Sequence, residues 1–227
     1  MIIDGFNKLT LLDYPGHLAC IIFTRGCNFK CEYCHNSGFI KNDKRPGLFS
    51  EEEVLDYLKE RKKTLEAVVI SGGEPTIQKD LDKFIRKVKG LGYRVKLDTN
   101  GSNPVILKRL LDENLLDYVA MDIKNTLDDY EKVSFVKTKK ESLKESIDLL
   151  KKSKIDYEFR TTIFKEIHDI NKIKDILKLV GESKYYIQNF NLSENVKNKS
   201  LHGFSKEELK EIKERLNNYP NVEIRGL

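Results

Sequence analysis

Short apolar runs rich in branched residues alternate along this chain with longer stretches whose apolar positions recur at helical spacing. The runs at 19–23, 67–70, 94–97, 118–123, 157–163 and 185–190 read as buried strands. Between them, Ser50 followed by Glu53 forms a capping box that opens a helix with Val54, Leu55 and Leu58 on its inward side. Leu81, Phe84, Ile85 and Val88 make a second apolar stripe, Leu143, Ile147 and Leu150 a third, and Ile173, Ile176, Leu177 and Val180 a fourth. Ser205 with Glu208 is another capping box ahead of a last helix. Such stripes are core packing. Regular alternation of strand and helix predicts parallel βα units, because parallel neighbours need a crossover long enough for a helix. Some six units make either a partial barrel or an open doubly wound sheet, and the period does not separate the two. No Pro-, Gly- or Ser-rich linker divides the chain, so one domain over 1–227 is expected, with 1–16 forming a short hairpin that covers the barrel end.

Composition narrows the class. At 227 residues, 39% hydrophobic and 34% charged, the chain has enough apolar content for one substantial core under a heavily solvated surface. No apolar run approaches the roughly 20 residues of a membrane span, and Met1-Ile2-Ile3-Asp4 has no basic leader, so neither membrane nor export is expected. Lysine and arginine exceed acids by five, 41 against 36. The lysines are dispersed along helices, which argues against a nucleic-acid stripe; the excess suits an acidic electron carrier.

The cysteines carry the chemistry. Cys27, Cys31 and Cys34 stand as C-x3-C-x2-C, and clustering three of four cysteines points to a reducing cytoplasm rather than a disulfide scaffold. Three thiolates on one loop can hold three irons of a cubane cluster, leaving the fourth iron open to an exchangeable ligand. The same residues with His35 or Cys20 could instead hold structural zinc, although the chain lacks the second Cys/His pair of the usual zinc pattern. Cys20 lies in an apolar strand and reads as core. His17, His168 and His202 have no ligand spacing and are assigned no role.

Polar residues gather where βα folds bind ligands, at the carboxyl ends of strands. The cysteine loop follows the first predicted strand. Ser71-Gly72-Gly73-Glu74-Pro75 follows the second and Asp98-Thr99-Asn100-Gly101 the third. Met121-Asp122-Ile123-Lys124 ends the fourth, the fifth carries Arg160-Thr161-Thr162, and the sixth carries Gln188. A zinc-stapled barrel has no need of that convergence.

The cysteine spacing and Gly72-Gly73-Glu74-Pro75 resemble the radical S-adenosylmethionine (SAM) enzymes. The resemblance implies a partial (β/α)6 TIM-like barrel, one [4Fe-4S] cluster on Cys27, Cys31 and Cys34, and SAM at the open iron, cleaved by one electron to methionine and a deoxyadenosyl radical. It also implies that carbonyls of the Gly72-Gly73-Glu74 loop meet the SAM ammonium and that Tyr33 faces adenine. Asp98 and Asn100 are then partners for ribose or the methionine carboxylate. Asp122, Ile123 and Lys124 make the matching contacts at the fourth strand, with Lys124 offering charge to the carboxylate. His35 orders the loop or contacts SAM, and Arg160 and Gln188 are further contacts.

A single spare cysteine leaves no ligands for a second cluster, and a short barrel suits a macromolecular substrate whose own loop fills the mouth. Asp13-Tyr14-Pro15-Gly16, His35-Asn36, Asp98-Thr99-Asn100-Gly101 and Met121-Asp122-Ile123-Lys124 resemble the activating enzymes of glycyl radical enzymes. The opening Gly5-Phe6-Asn7-Lys8 and the ending Val222-Glu223-Ile224-Arg225-Gly226 resemble the activators of anaerobic ribonucleoside-triphosphate reductase. That resemblance implies hydrogen abstraction from a glycine Cα of the reductase, with flavodoxin or ferredoxin as electron donor. Gln188-Asn189 departs from the histidine that pyruvate formate-lyase activators tend to place there. The alternatives are a small-molecule radical SAM enzyme such as 7-carboxy-7-deazaguanine synthase, and a non-enzymatic metal-stabilised adaptor.

Overall fold

The computed structural model describes residues 1–40 and 45–225; Gly226 of the closing motif lies outside them. All six anticipated strands are present: β2 (Ala19–Thr24), β3 (Ala67–Gly72), β4 (Arg94–Thr99), β5 (Tyr118–Asp122), β6 (Asp156–Ile163) and β7 (Tyr185–Asn189). They pair in parallel and in chain order. Two further strands extend this sheet. β1 (Ile3–Thr10) pairs antiparallel with β2, and β8 (Val222–Arg225) pairs parallel with β7. Among the described residues β1 and β8 do not pair with each other, so the eight-stranded sheet is a partial barrel open along one side.

The crossovers are helical: α1 (Glu51–Glu60), α2 (Leu81–Gly90), α3 (Pro104–Asp112), the short α4 (Glu131–Ser134), α5 (Lys140–Lys152), α6 (Ile170–Val180) and α7 (Lys206–Arg215). Both capping boxes form, with the Ser50 hydroxyl accepting from Glu53 N–H and Ser205 from Glu208 N–H. Among the described residues no helix is long and apolar enough to cross a membrane.

Strand period two divides the apolar residues between two layers. Outward positions such as Cys20, Ile22, Val68, Ile70, Leu97 and Met121 pack with the predicted helix stripes in one continuous core. The inward set is smaller. Ala19, Ile21, Ala67, Val69, Tyr118 and Ala120 surround Tyr14, which comes from the β1–β2 connection and packs on Tyr118 at 5.6 Å between ring centroids. Ala19, Ala67 and Tyr118 are the first residues of their strands, so apolar packing fills the amino end of the barrel. Farther along the same strands the inward residues become polar, and a chamber opens.

Candidate active site

The cysteine loop is fixed by its neighbours at both edges. Gly72 has φ +109°, and a Cβ there would lie 2.3 Å from Thr24 N. A Cβ on Gly73 would lie 1.8 Å from the Gly26 carbonyl oxygen. The two glycines therefore allow backbone to pack on backbone. Gly73 N–H donates to Thr24 O (2.9 Å), Glu74 N–H to Gly26 O (2.8 Å), and the Asn36 amide to Gly72 O (3.1 Å). On the other side, Lys30 N–H donates to Ser134 O (2.9 Å), and the N–H groups of Lys197 and Asn198 both donate to Glu32 O (3.2 Å).

These contacts place all three cluster cysteines on the wall of one cavity of about 420 Å³. Every site residue anticipated from the sequence lines it except Ile123. Ile123 is buried in the outer core; its N–H donates to Arg160 O (2.8 Å) and its carbonyl accepts from Thr161 Oγ1 (2.5 Å). Both of its backbone polar groups thus have a partner within the sheet, and its side chain packs in the outer core.

Glu74 lines the cavity but is fully occupied by protein donors. Oε1 accepts from Thr76 N (3.1 Å), Thr76 Oγ1 (2.6 Å) and Thr99 Oγ1 (2.7 Å), while Oε2 accepts from Asn100 N (2.7 Å). Burial raises its pKa and the four hydrogen bonds oppose that rise. The carboxyl ties the glycine loop to the end of β4. Asn100 extends the tie, its amide donating to Asn28 Oδ1 at 2.9 Å, in the loop between Cys27 and Cys31.

Alternating charges cross the chamber. Register pairs Asp122 with Arg160 across β5 and β6. Arg160 Nε donates to Asp122 Oδ1 (2.9 Å), and its Nη1 lies 3.6 Å from Asp98 Oδ2 and 3.9 Å from Glu158 Oε1. Lys96 bonds Asp98 from below, and Lys124 Nζ reaches Asp122 Oδ2 at 3.5 Å. Burial raises the Asp98 and Asp122 carboxyls, but Arg160 with Lys96 or Lys124 outweighs it and holds both below the usual range. Arg160 is thus largely committed to protein carboxylates. Lys124 is held more loosely, its ammonium 5.7 Å from the centre of the Tyr33 ring, which also packs on Phe164 at 5.1 Å.

Several cavity residues carried no assigned role in the sequence: Asp13, Phe29, Asn36, Ser71, Thr99 and Thr162 among them. Of these six, all but Phe29 stood inside motifs already singled out, which was the available signal. His168 lies outside the cavity but acts on it. The buried ring donates from Nε2 to Lys124 O (3.1 Å) and accepts Phe164 N–H at Nδ1 (3.3 Å), fixing a neutral tautomer. Burial lowers its pKa from 6.5 to about 4. Stability from this group is therefore complete above pH 6.5. It is lost as pH falls toward 4, because the unfolded chain takes a proton that the folded ring refuses; the full loss is about 3 kcal/mol. Urea midpoints at pH 7.5 and 5 should show about 2 kcal/mol of that fall in wild type and a flatter response in His168→Gln. Equal slopes would remove His168 as the cause.

The donor set fits an iron–sulfur cluster better than a single metal ion. Three thiols on one cavity wall match three irons of a cubane and leave its fourth iron open. His35 Nδ1 is engaged 3.3 Å from Ser193 Oγ, and Cys20 is buried in the outer core. Burial pushes the Cys27 thiol up to about 12 and raises Cys31 and Cys34, with Lys124 opposing each rise. Thiolates in that setting need a strong positive centre such as iron.

Comparison with known proteins agrees with this geometry. The family model described as "Radical SAM superfamily" matches residues 21–180. A Methanocaldococcus jannaschii protein provisionally named a glycyl-radical enzyme activating enzyme is 40% identical over 199 residues, covering 83% of this chain and 80% of its own. The 7-carboxy-7-deazaguanine synthase of Clostridium acetobutylicum is 28% identical over 170 residues, covering 74% of this chain and 70% of its own. Among solved structures, SuiB of Streptococcus suis bound to S-adenosylmethionine superposes with a TM-score of 0.72 at 15% identity. That match covers 91% of this chain and 50% of SuiB.

Proposed function

The chain belongs to the radical SAM superfamily, and from that premise we propose that it activates a glycyl radical enzyme by removing a hydrogen from the Cα of one glycine. The observation that carries this reading is the 40% identity, over most of both chains, to the relative named for that activity. The partner in this proposal is an anaerobic ribonucleoside-triphosphate reductase, the electron donor flavodoxin or ferredoxin, and the setting the cytoplasm.

Cys27, Cys31 and Cys34 would hold a [4Fe-4S] cluster. When bound, it supplies the electron that splits SAM into methionine and a deoxyadenosyl radical. The protein's own residues hold and orient. Lys124, with only a 3.5 Å contact to Asp122, has charge to spare for the SAM carboxylate. Asp98 and Asn100 present polar atoms at the end of β4, and Tyr33 offers a ring on the wall of the same cavity. The Glu74 bonds keep the glycine loop and the β4 end from shifting against the cysteines, which keeps the ligand positions fixed. Asp98 and Asp122 are paired with Lys96, Lys124 and Arg160, and Glu74 is held by four neutral donors, so these three carboxyls are engaged by the protein itself.

Partner reductase labelled with deuterium at glycine Cα tests the reading. Reduced protein and SAM should yield singly deuterated 5′-deoxyadenosine together with a glycine-centred radical. A second reading, a small-molecule enzyme, is favoured by the relative named 7-carboxy-7-deazaguanine synthase. Turnover of that enzyme's pterin substrate without a partner, and no deuterium in deoxyadenosine, would replace the first reading with the second.

A further inference from the structure

Beside the cysteine loop lies a surface that none of the cavity chemistry uses. The backbone bond from Lys30 N–H to Ser134 O (2.9 Å) fastens segment 134–139 to the loop one residue before Cys31. The segment is a tight turn. Ser134 Oγ lies 3.0 Å from Thr138 Oγ1, both hydroxyls bond Val136 O, and Thr138 N–H donates to Glu131 Oε1. Phe135 caps the end of α4 in left-handed backbone, φ 54°, with its N–H donating to Glu131 O (3.0 Å), and 48% of it faces solvent. Among the described residues its ring has no aromatic or cationic partner. Lys30, Lys137 and Lys139 are exposed on the two segments that the Lys30–Ser134 bond joins, and among the described residues none of the three forms an ion pair. Lys139 and Lys140 also stand at the amino end of α5, where the helix dipole disfavours cations. The left-handed backbone closes α4, and Glu131 is the one carboxylate bonded into the turn; the exposed ring and the three lysines make no aromatic, cation–π or ion-pair contact among the described residues.

We propose that Lys30, Phe135, Lys137 and Lys139 form the docking surface for a small acidic electron-transfer protein that reduces the cluster. Charge complementarity selects an acidic partner and speeds its encounter. One aromatic anchor within a few charges matches the small, transient interfaces of redox pairs. The step moves one electron: the carrier is oxidised by one, the cluster held by Cys27, Cys31 and Cys34 is reduced by one, and no atom is transferred. The inference rests on the cluster reading above, and its test separates the two.

Holoprotein reconstituted anaerobically is titrated with oxidised flavodoxin at low and high salt. Cluster bleaching by flavodoxin hydroquinone is then followed beside bleaching by dithionite, which needs no docking surface. Lys30→Glu, Lys137→Glu and Lys139→Glu together should weaken flavodoxin binding by about 30-fold or more, and Phe135→Ser by about tenfold. High salt should weaken the wild type likewise. Dithionite bleaching should be the same in all. A control with the same charge change on exposed α7 positions, Lys206→Glu with Lys210→Glu and Lys213→Glu, should bind as wild type. Unchanged binding in the patch variants, or an equal loss in the control, overturns the proposal. So does loss of the reductase partner with flavodoxin binding intact. If dithionite-reduced wild type fails to cleave SAM, the functional reading falls, while the binding titration still decides the docking surface.

Discussion

Gly73→Ala is expected to remove the cluster from the protein and lower its melting temperature by about 6–12 °C. The new Cβ would sit 1.8 Å from Gly26 O and 2.6 Å from the carbonyl carbon, with Cys27 N at 3.3 Å. Each obstacle is backbone, so no side chain can rotate away. Relief requires the two loops to part, which breaks the bonds from Gly73 N–H to Thr24 O and from Glu74 N–H to Gly26 O. Overpacking of this kind with two lost hydrogen bonds comes to about 3 kcal/mol, and in a chain of this size each kcal/mol is worth about 2–4 °C. The displaced chain leads directly into Cys27, so iron retained after anaerobic reconstitution should fall close to zero. Gly38→Ala makes the control, since nothing among the described residues lies within 4 Å of a Cβ there. Wild-type melting and iron content in Gly73→Ala would mean that the glycine loop does not set the cysteine positions.

The second large effect is expected at Arg160. Arg160→Met keeps the side chain's bulk but removes the cation between Asp122, Asp98 and Glu158. Asp98 and Asp122 would then face each other inside the barrel with only Lys96 and Lys124 to offset them. Breaking an enclosed ion pair by removing one partner destabilises by about 3 kcal/mol, and the Asp98 and Asp122 carboxyls, no longer held down by the guanidinium, should protonate at higher pH than in the wild type. Binding of SAM should weaken as well, because Lys124 is drawn toward Asp122 and away from the incoming carboxylate. Arg160→Lys should recover part of the stability but not all, since an ammonium cannot bond two carboxylates as the planar fork does. Equilibrium unfolding and SAM titration of the two variants give the comparison. If Met and Lys behave alike, the charge at 160 is not what organises the chamber.

What the sequence made legible was whatever depends on local pattern. The six central strands announced themselves as branched apolar runs, and both capping boxes were readable because their partners stand three residues apart. β8 was not readable as a strand: it is four residues long, carries Glu223 and Arg225, and gains its place only by pairing with β7. α3 went unremarked although Asn103, whose side chain accepts Ile106 N–H at 3.4 Å, and Pro104 at its first turn were both available signals.

The site divides in the same way. Polar clusters at strand ends mark the cavity, because a parallel sheet brings those ends together whatever the tertiary detail. The tasks within the cavity depend on register and contact. That Arg160 is occupied by three carboxylates follows from its pairing opposite Asp122. That Glu74 ties the loop together follows from donors 25 and 26 residues away. His168 reaches the Lys124 carbonyl across 44 residues, a separation no sequence spacing displays. The double glycine was legible as a close approach, but its target was not: the loop packs on Thr24 and Gly26.

The central claim is that Cys27, Cys31 and Cys34 hold a cluster whose remaining iron meets SAM inside this cavity. Electron paramagnetic resonance of anaerobically reconstituted, reduced protein, recorded with and without SAM, tests it most directly. The account predicts a reduced cubane signal that changes shape when SAM is added, and loses that change in Lys124→Ala while the cluster remains. A cluster signal indifferent to SAM in the wild type, or iron and sulfide bound with no cubane signal, would contradict it.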